Sequence, residues 1–595
     1  MEASEIADQV LTSIEEITLP TYRLLGENRN PVFHSQYGVA HIYPYTLQDE
    51  VAAQPTEVTY RALILENRYL RVTVLPQLGG RVFSVYDKIS AGEVFYKNPV
   101  IKFSPLAIRG AFFSGGLEFS FPVAHAPTTA ESINWDFQRG DDGSASITIG
   151  GLEHMAGLRW TIKLSLFPNR CALAQDVQLY NPTPIPGRYH YWTNASLNSG
   201  DQTEFIYPLQ RVRSYEFAGT ASWPIARLDP ILAEAGLPGM EGVPMWPAER
   251  LHDPIHFRWE KNMLAQVSIF GRNVTWDYFG AWQHTSNTGY AHFARYQDVS
   301  GMKLWSWGQS DVGVVNQTAL MDDGALYAET QCGAMETQLD FDFLAPGKTR
   351  TWREWWLPLR ELGGLTCASA KIGARLHLAP GEDDRNVKLT VGICPVITIP
   401  TAKINLSIPG KIILQEKASI SPHQPWLKEI SVEAKLLSAH PLTLMVSDDR
   451  GNVLLDYTHD TSPYTDEFIE SENTSPPETA EDFYQLGLKH ENFDNRAQAL
   501  ESYWNAIRIS EEHGPSHFQL GLMLLRSADF DAANHHFRWA ADLGINTALY
   551  YLGLLSWYTG NTDAAEESYK SVHPISPAAL QGLVSVAFKR NRWTE

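Results

Sequence analysis

The chain has 595 residues, with 47 Lys+Arg against 68 Asp+Glu and a net charge of −21. With 44% hydrophobic and 19% charged residues, it is globular and long enough for about three to five domains. So acidic a chain has no general attraction for nucleic acid or an anionic membrane, and no Lys/Arg run offers a local one, so neither partner is expected.

Cys171, Cys332, Cys367 and Cys394 are scattered, without C-x-x-C or metal-ligand spacing, so no metal and no cofactor is expected. That usage suits a reducing compartment. The N-terminus is acidic where a signal peptide would be basic, and no run approaches the ~18 apolar residues of a membrane helix. A cytoplasmic protein is the expectation.

Residues 1–57 read as an extension leading into a sandwich. From 58 to 360 the dominant period is two, as in Leu70-Arg71-Val72-Thr73-Val74 and Trp160-Thr161-Ile162-Lys163-Leu164. Gly79-Gly80, Phe167-Pro168 and Asn181-Pro182 break the pattern, and no helical periodicity intervenes. The expected fold class is therefore multidomain and mainly β, opening with a large antiparallel β-sandwich. Residues 361–458 predict a smaller, immunoglobulin-like β-sandwich, with a hairpin turn at Asp448-Asp449-Arg450-Gly451-Asn452. Its simplest use is as a spacer. Residues 459–481 read as an acidic, Pro-containing linker.

Past 482 the period becomes helical and repeats. Leu486-Gly487, Leu520-Gly521 and Leu552-Gly553 recur, each Gly followed by Ala499, Ala533 or Ala565 and then by Tyr503, Phe537 or Tyr569. Small residues where helices touch and an aromatic at the packing centre make the tetratricopeptide pattern over 482–595, with Pro577 to Trp593 as the capping helix. Such an array suits a protein partner or a homo-oligomer contact, or a clamp on its own chain.

Four places could carry chemistry. Arg109 to Phe119 is Gly-rich and brings Glu118, with His125 close behind; a salt-bridged Glu in a bend is the structural alternative. In Arg188 to Ala195, His190, Trp192 and Asn194 share one strand face, which suits a sugar platform or a satisfied core histidine. Between Trp276 and Trp307 aromatics crowd together, with Trp282, Trp305 and Trp307 beside His284. In Ala325 to Gly333, Glu329 and Gln331 face the same way with Tyr327, an arrangement suited to a general base.

Glu329-Thr330-Gln331 resembles the Glu-Thr-Gln of aldose 1-epimerases (galactose mutarotases), and His190-x-Trp192-x-Asn194 is similar to their His-x-Tyr-x-Asn segment. The two segments stand in that family's order, although Tyr189, Ala195 and Cys332-Gly333 depart from its pattern. The resemblance implies a galactose mutarotase-like β-sandwich, with Glu329 as base, His190 as acid, and His125 and Arg109 as sugar-binding residues.

Three functions follow as expectations. The favoured one is a glycoside hydrolase acting on an oligosaccharide, with Glu118 and Glu329 as paired carboxylates. An epimerase would need only His190 and Glu329. A carbohydrate-binding protein would use the same side chains without turnover while its repeats recruit partners. In each case Arg109, His125, Trp192, Asn194, Trp282, His284, Trp305, Trp307 and Gln331 would bind sugar.

Overall fold

The structure, a computed structural model, describes residues 9–27, 42–214, 220–227, 253–381, 385–459, 476–492 and 495–592. Most of the expected linker, 460–475, lies outside the described residues. No described helix is long and apolar enough to cross a membrane.

A thirteen-stranded sheet and an eight-stranded sheet form the large sandwich. Alternation decides their faces. Ile147, Ile149, Ile162 and Leu164 are fully buried, while the intervening Thr148, Thr161 and Lys163 are only partly so. Polar bonds also stitch the layers. Tyr290 and Thr330 share a hydroxyl bond of 2.5 Å across the sheets, and Gln175 Nε2 donates to Thr193 Oγ1 at 2.9 Å. Chain before residue 57 is part of this sheet, because the strand Leu11–Tyr22 pairs antiparallel with Thr56–Glu66 from Leu11↔Glu66 to Thr21↔Thr56.

Two four-stranded sheets follow. Their inward residues, including Val391, Ile393, Ile404, Leu444 and Val446, continue the hydrophobic core of the large sandwich without a break. The Asp448 turn closes as its sequence requires, with Asp448 N–H donating to the Asn452 carbonyl at 3.0 Å.

Among the described residues the C-terminal part is three helix pairs and a final helix, Pro577–Lys589. The repeat glycines are explained by contact. A Cβ at Gly487, Gly521 or Gly553 would sit 2.4, 2.6 or 2.7 Å from the ring of Tyr503, Phe537 or Tyr569. Ala499, Ala533 and Ala565 are fully buried in the same helix pairs. The array also touches the sandwich. Ile185 packs into the repeat core, Tyr550 donates its hydroxyl to the Pro184 carbonyl at 2.8 Å, and Arg526 lies 4.9 Å over the Phe343 ring.

Candidate functional site

Five strands are consecutive neighbours at the centre of the thirteen-stranded sheet: Gly301–Ser306, Leu326–Gly333, Trp192–Ser199, Leu117–Ser120 and Arg81–Asp87. Their register sets Glu118, Asn194, Gln331 and Lys303 directly opposite one another across four strands. Residues in register share a face, so these side chains form one polar row. Two residues along, Ser196, Glu329 and Trp305 form a second row on that face. The intervening Thr330 and Cys332 point the other way, into the layer between the sheets, where they meet Tyr290 and Glu354.

Glu118 is the most constrained member and 2% exposed. Its Oε2 accepts from Asn194 Nδ2 at 2.9 Å and pairs with His125 Nδ1 at 2.8 Å, and its Oε1 accepts from the Ala126 N–H at 3.0 Å. Arg81 Nη2 lies 4.0 Å from Oε1. Burial works to raise this carboxyl, but the His125 and Arg81 charges and the hydrogen bonds overcome it and hold it at about 2. His125 moves the opposite way. Burial would lower it, yet the charge and hydrogen bond of Glu118, with the Glu329 charge beyond, raise it above its ordinary value. The side chain of His125 stays 22% exposed. The geometry thus favours the protonated imidazole and, beside it, the ionised carboxylate.

Local backbone makes this pairing possible. Gly116 has φ +68°, and a Cβ there would meet the Val82 carbonyl oxygen at 1.9 Å, so only glycine lets the strand carrying Glu118 close on the strand carrying Arg81. Arg81 itself donates to the Gly115 carbonyl at 3.0 Å and covers the Phe113 ring at 4.2 Å.

Glu329 is 4% exposed. Tyr327 donates its hydroxyl to Oε1 at 2.7 Å, and Gln331 Nε2 donates to Oε2. The ring of Trp305, its neighbour in register, is half-buried and has the Lys303 ammonium 4.9 Å above it. His125 and Trp305 are half-buried, whereas Glu118, Asn194, Lys303, Glu329 and Gln331 are buried.

The other expected residues fall in different places. His190 is fully buried at the margin of the row, stacked on Trp192, with Nδ1 3.4 Å from the Asp340 carbonyl and Nε2 unpartnered. Burial drives it down to about 3, so it is a neutral imidazole whose free Nε2 is a proton acceptor, the reverse of an acid. Trp192 is fully buried too, and a Cβ at Gly333 would lie 2.3 Å from its indole, so the ring is packed on the sheet and is no exposed platform. Arg109 does not join Glu329. All five guanidinium donors are spent, on the Thr46 carbonyl and hydroxyl, the Pro127 carbonyl, Glu131 and Glu27, so it braces the loop that carries His125. Trp282 and His284 stand on or beside the strand Tyr278–Gln283 of the second sheet, behind the row. Trp282 is fully buried there, and His284 pairs with Glu204 at 2.8 Å. Trp307 packs edge-on to Trp305 at 5.0 Å, within a cluster that includes Tyr96, Phe112 and Tyr327.

Arg81, Lys303 and Gln338 are the members that sequence reasoning passed over. The signal for Lys303 was its alternation with Trp305 in a strand opposite Glu329-Thr330-Gln331. Gln338 lies outside any strand and carried none. A cleft of about 1150 Å³ also opens at the ends of the sandwich strands, lined by Tyr96, Asn198, Asp201, Gln283 and Asp323 among others. It contains none of the expected site residues, so the chemistry assembled on the polar row takes precedence over cavity size.

The titrations give the site a pH signature. His190 falls from an ordinary 6.5 to about 3, so its share of stability is whole above pH 6.5 and is lost as pH falls toward 3. Glu118, at about 2 against an ordinary 4.5, keeps its share above 4.5 and loses it progressively as pH falls from there through about 2. The raised His125 contributes fully below 6.5 and loses its share as pH rises through its folded value. Between pH 6.5 and 4.5, therefore, His190 dominates this region. The melting temperature should drop over that interval, and a His190→Gln variant should show a smaller drop in the same calorimetric scan.

A family profile with the description "Domain of unknown function (DUF5107)" matches residues 37–359, more than half of the chain and the whole polar row. The chain belongs to the DUF5107 family. A second profile, described as the second domain of YphG-like protein, matches residues 370–457 of this DUF5107 chain. Among solved structures, a TPR-domain containing protein from Parabacteroides distasonis is similar at 20% identity and a TM-score of 0.51, covering 98% of this chain and 84% of that one. The two share their fold. A galactose mutarotase-like protein from Clostridium acetobutylicum is 10% identical over 51% of this chain and 96% of its own, with a TM-score of 0.34. A second one, from Lactobacillus casei, is 9% identical over 50% and 99%, with a TM-score of 0.32.

Proposed function

We propose that this DUF5107 protein interconverts the anomers of a free sugar, with His125 as the proton donor and Glu329 as the proton acceptor. The observation that carries this reading is the Glu118–His125 pair, which favours the protonated imidazole and places it beside the sheet face that carries a second carboxylate. Glu329 would take the proton of the anomeric hydroxyl while His125 protonates the ring oxygen. The bond between the anomeric carbon and the ring oxygen then breaks, giving the open-chain aldehyde, and closure on the other face returns both protons. Glu118 holds the imidazolium and does not itself react.

A paired-carboxylate hydrolase needs one carboxyl that is protonated or free to attack. Glu118 suits neither role, since three donors occupy it and its carboxyl is held at about 2. The resemblance of Glu329-Thr330-Gln331 to the epimerase segment favours the same choice. The test is direct. Polarimetry or NMR exchange on a panel of free aldoses and uronates should show catalysed anomer exchange, whereas aryl glycosides and oligosaccharides should be left intact. Cleavage of a glycoside without anomer exchange on any free sugar would reverse the assignment.

A further inference from the structure

Glu329 sits at the end of a hydrogen-bond chain whose direction is fixed from the far side. The Lys303 ammonium donates to Gln338 Oε1 at 2.5 Å, and Gln338 Nε2 donates to Gln331 Oε1 at 2.6 Å. Gln331 Nε2 then donates to Glu329 Oε2. An amide can flip, but an ammonium has only donors. With Lys303 at its head, Gln338 must present its oxygen to the lysine and its nitrogen to Gln331. Gln331 must in turn present its nitrogen to the carboxylate. Lys303 is 4% exposed, between the rings of Phe270 and Trp305, and Gln331 is 1% exposed, whereas Gln338 is half-buried. Tyr327 fixes the other end, since its hydroxyl donates to Oε1 and lies 2.9 Å from Ser196 Oγ.

We infer that Lys303 and Gln338 are positioning residues for Glu329: the ammonium holds the two amides in one orientation and thereby keeps an N–H, rather than an amide oxygen, on Glu329 Oε2. This rests on the reading of Glu329 as the base. Chains of aligned dipoles in a buried site reinforce one another, so a charge at the head is felt at the tail. The remaining charged and titratable groups around Glu329 come from every neighbouring element. They are Tyr327 on its own strand, Lys303 on a flanking strand, Glu118 one strand further on the other side, Arg81 beyond Glu118, and His125 and His190 at the margins. The relay is the route by which Lys303 acts on Glu329 through bonds, whereas Arg81 and His125 act through space.

Two measurements separate the relay from the function it serves. In deuterated full-length protein with ¹⁵N-labelled glutamine, the side-chain amide protons of Gln331 should exchange slowly with solvent in the wild type and in Lys303→Arg. In Lys303→Met, an apolar replacement of similar length, they should exchange at least about ten-fold faster, as they should in Gln338→Leu. Unchanged protection in both of these variants overturns the relay whatever the protein's activity. For turnover, the acid limb of the pH–rate profile should move up by about one unit in Lys303→Met and return in Lys303→Arg. An unmoved limb, in a protein whose Glu329→Gln variant is inactive, overturns the positioning role. Full turnover in Glu329→Gln would instead remove Glu329 as base and with it the role inferred for Lys303, leaving the amide exchange to report on the relay's geometry alone.

Discussion

Replacing Glu329 with Gln should lower anomer exchange by about 10²–10⁴-fold, because the amide keeps the shape and the Tyr327 contact but has no basic oxygen to take a proton. His125→Asn should lose turnover on the same scale. The informative contrast is His190→Asn. If the acid were His190, as the resemblance implies, this variant would be as severe as His125→Asn. With His190 a buried neutral imidazole, the loss should be much smaller and should fall mainly on KM. Glu118→Gln gives a third pattern, since it leaves His125 in place but strips away the charge that raises its pKa. Its rate should fall most steeply on the alkaline side, where the imidazole is no longer protonated. Single-turnover rates of the four variants from pH 5 to 9 check all of this. Equal losses in His125→Asn and His190→Asn would return the acid to His190.

The second large effect concerns stability. Arg360, 4% exposed, donates to Asp87 Oδ2 at 2.6 Å, to the Pro422 carbonyl at 2.7 Å, and lies 3.6 Å from Cys171 Sγ. One guanidinium therefore joins the large sandwich to the small one where their cores merge. Removing one partner of a buried pair leaves the other charge uncompensated, at a cost of about 3–5 kcal/mol. Arg360→Met should lower the unfolding free energy read from denaturant titration by that much, while Arg360→Met with Asp87→Asn should lower it by clearly less than the sum of the two single changes. Additive losses in the double variant would mean that the two side chains stabilise the protein independently.

Period-two alternation made the sandwich legible, because the same spacing that fully buries Ile147 and Ile149 leaves Thr148 between them only partly buried. The repeats were legible for a more specific reason. A glycine and an aromatic that must touch leave a fixed offset in the chain, and Gly487 with Tyr503 does so. Within the site, strand parity placed Glu329 beside Gln331, and His190 in line with Trp192 and Asn194. Parity says nothing about depth, however, and depth decided the chemistry. His190 and His125 look equivalent as letters, but one is stripped of water and touches only a carbonyl at 3.4 Å and neighbouring rings, while the other rests on a carboxylate. Arg109 failed for a similar reason. An arginine next to a Gly-rich turn looks ready for a substrate, and only coordinates reveal that its donors are used up by Thr46, Pro127, Glu131 and Glu27. Gln338 was out of reach altogether, since its relation to Gln331 depends on how a loop returns over the sheet.

The strand Leu326–Gly333 carries two sets of side chains at once, Glu329 and Gln331 outward and Thr330 and Cys332 inward. A single-residue insertion ahead of Glu329 would exchange them wholesale. The carboxylate would be driven in toward Tyr290, and the threonine would be left facing Trp305. Substitutions and changes of length can therefore be absorbed in the turns on either side, but the residue count within the strand cannot change. Among related chains, insertions and deletions should cluster beyond the ends of this strand, and a directed-evolution library that varies loop length should recover active members only when the spacing from Tyr327 to Cys332 is left intact.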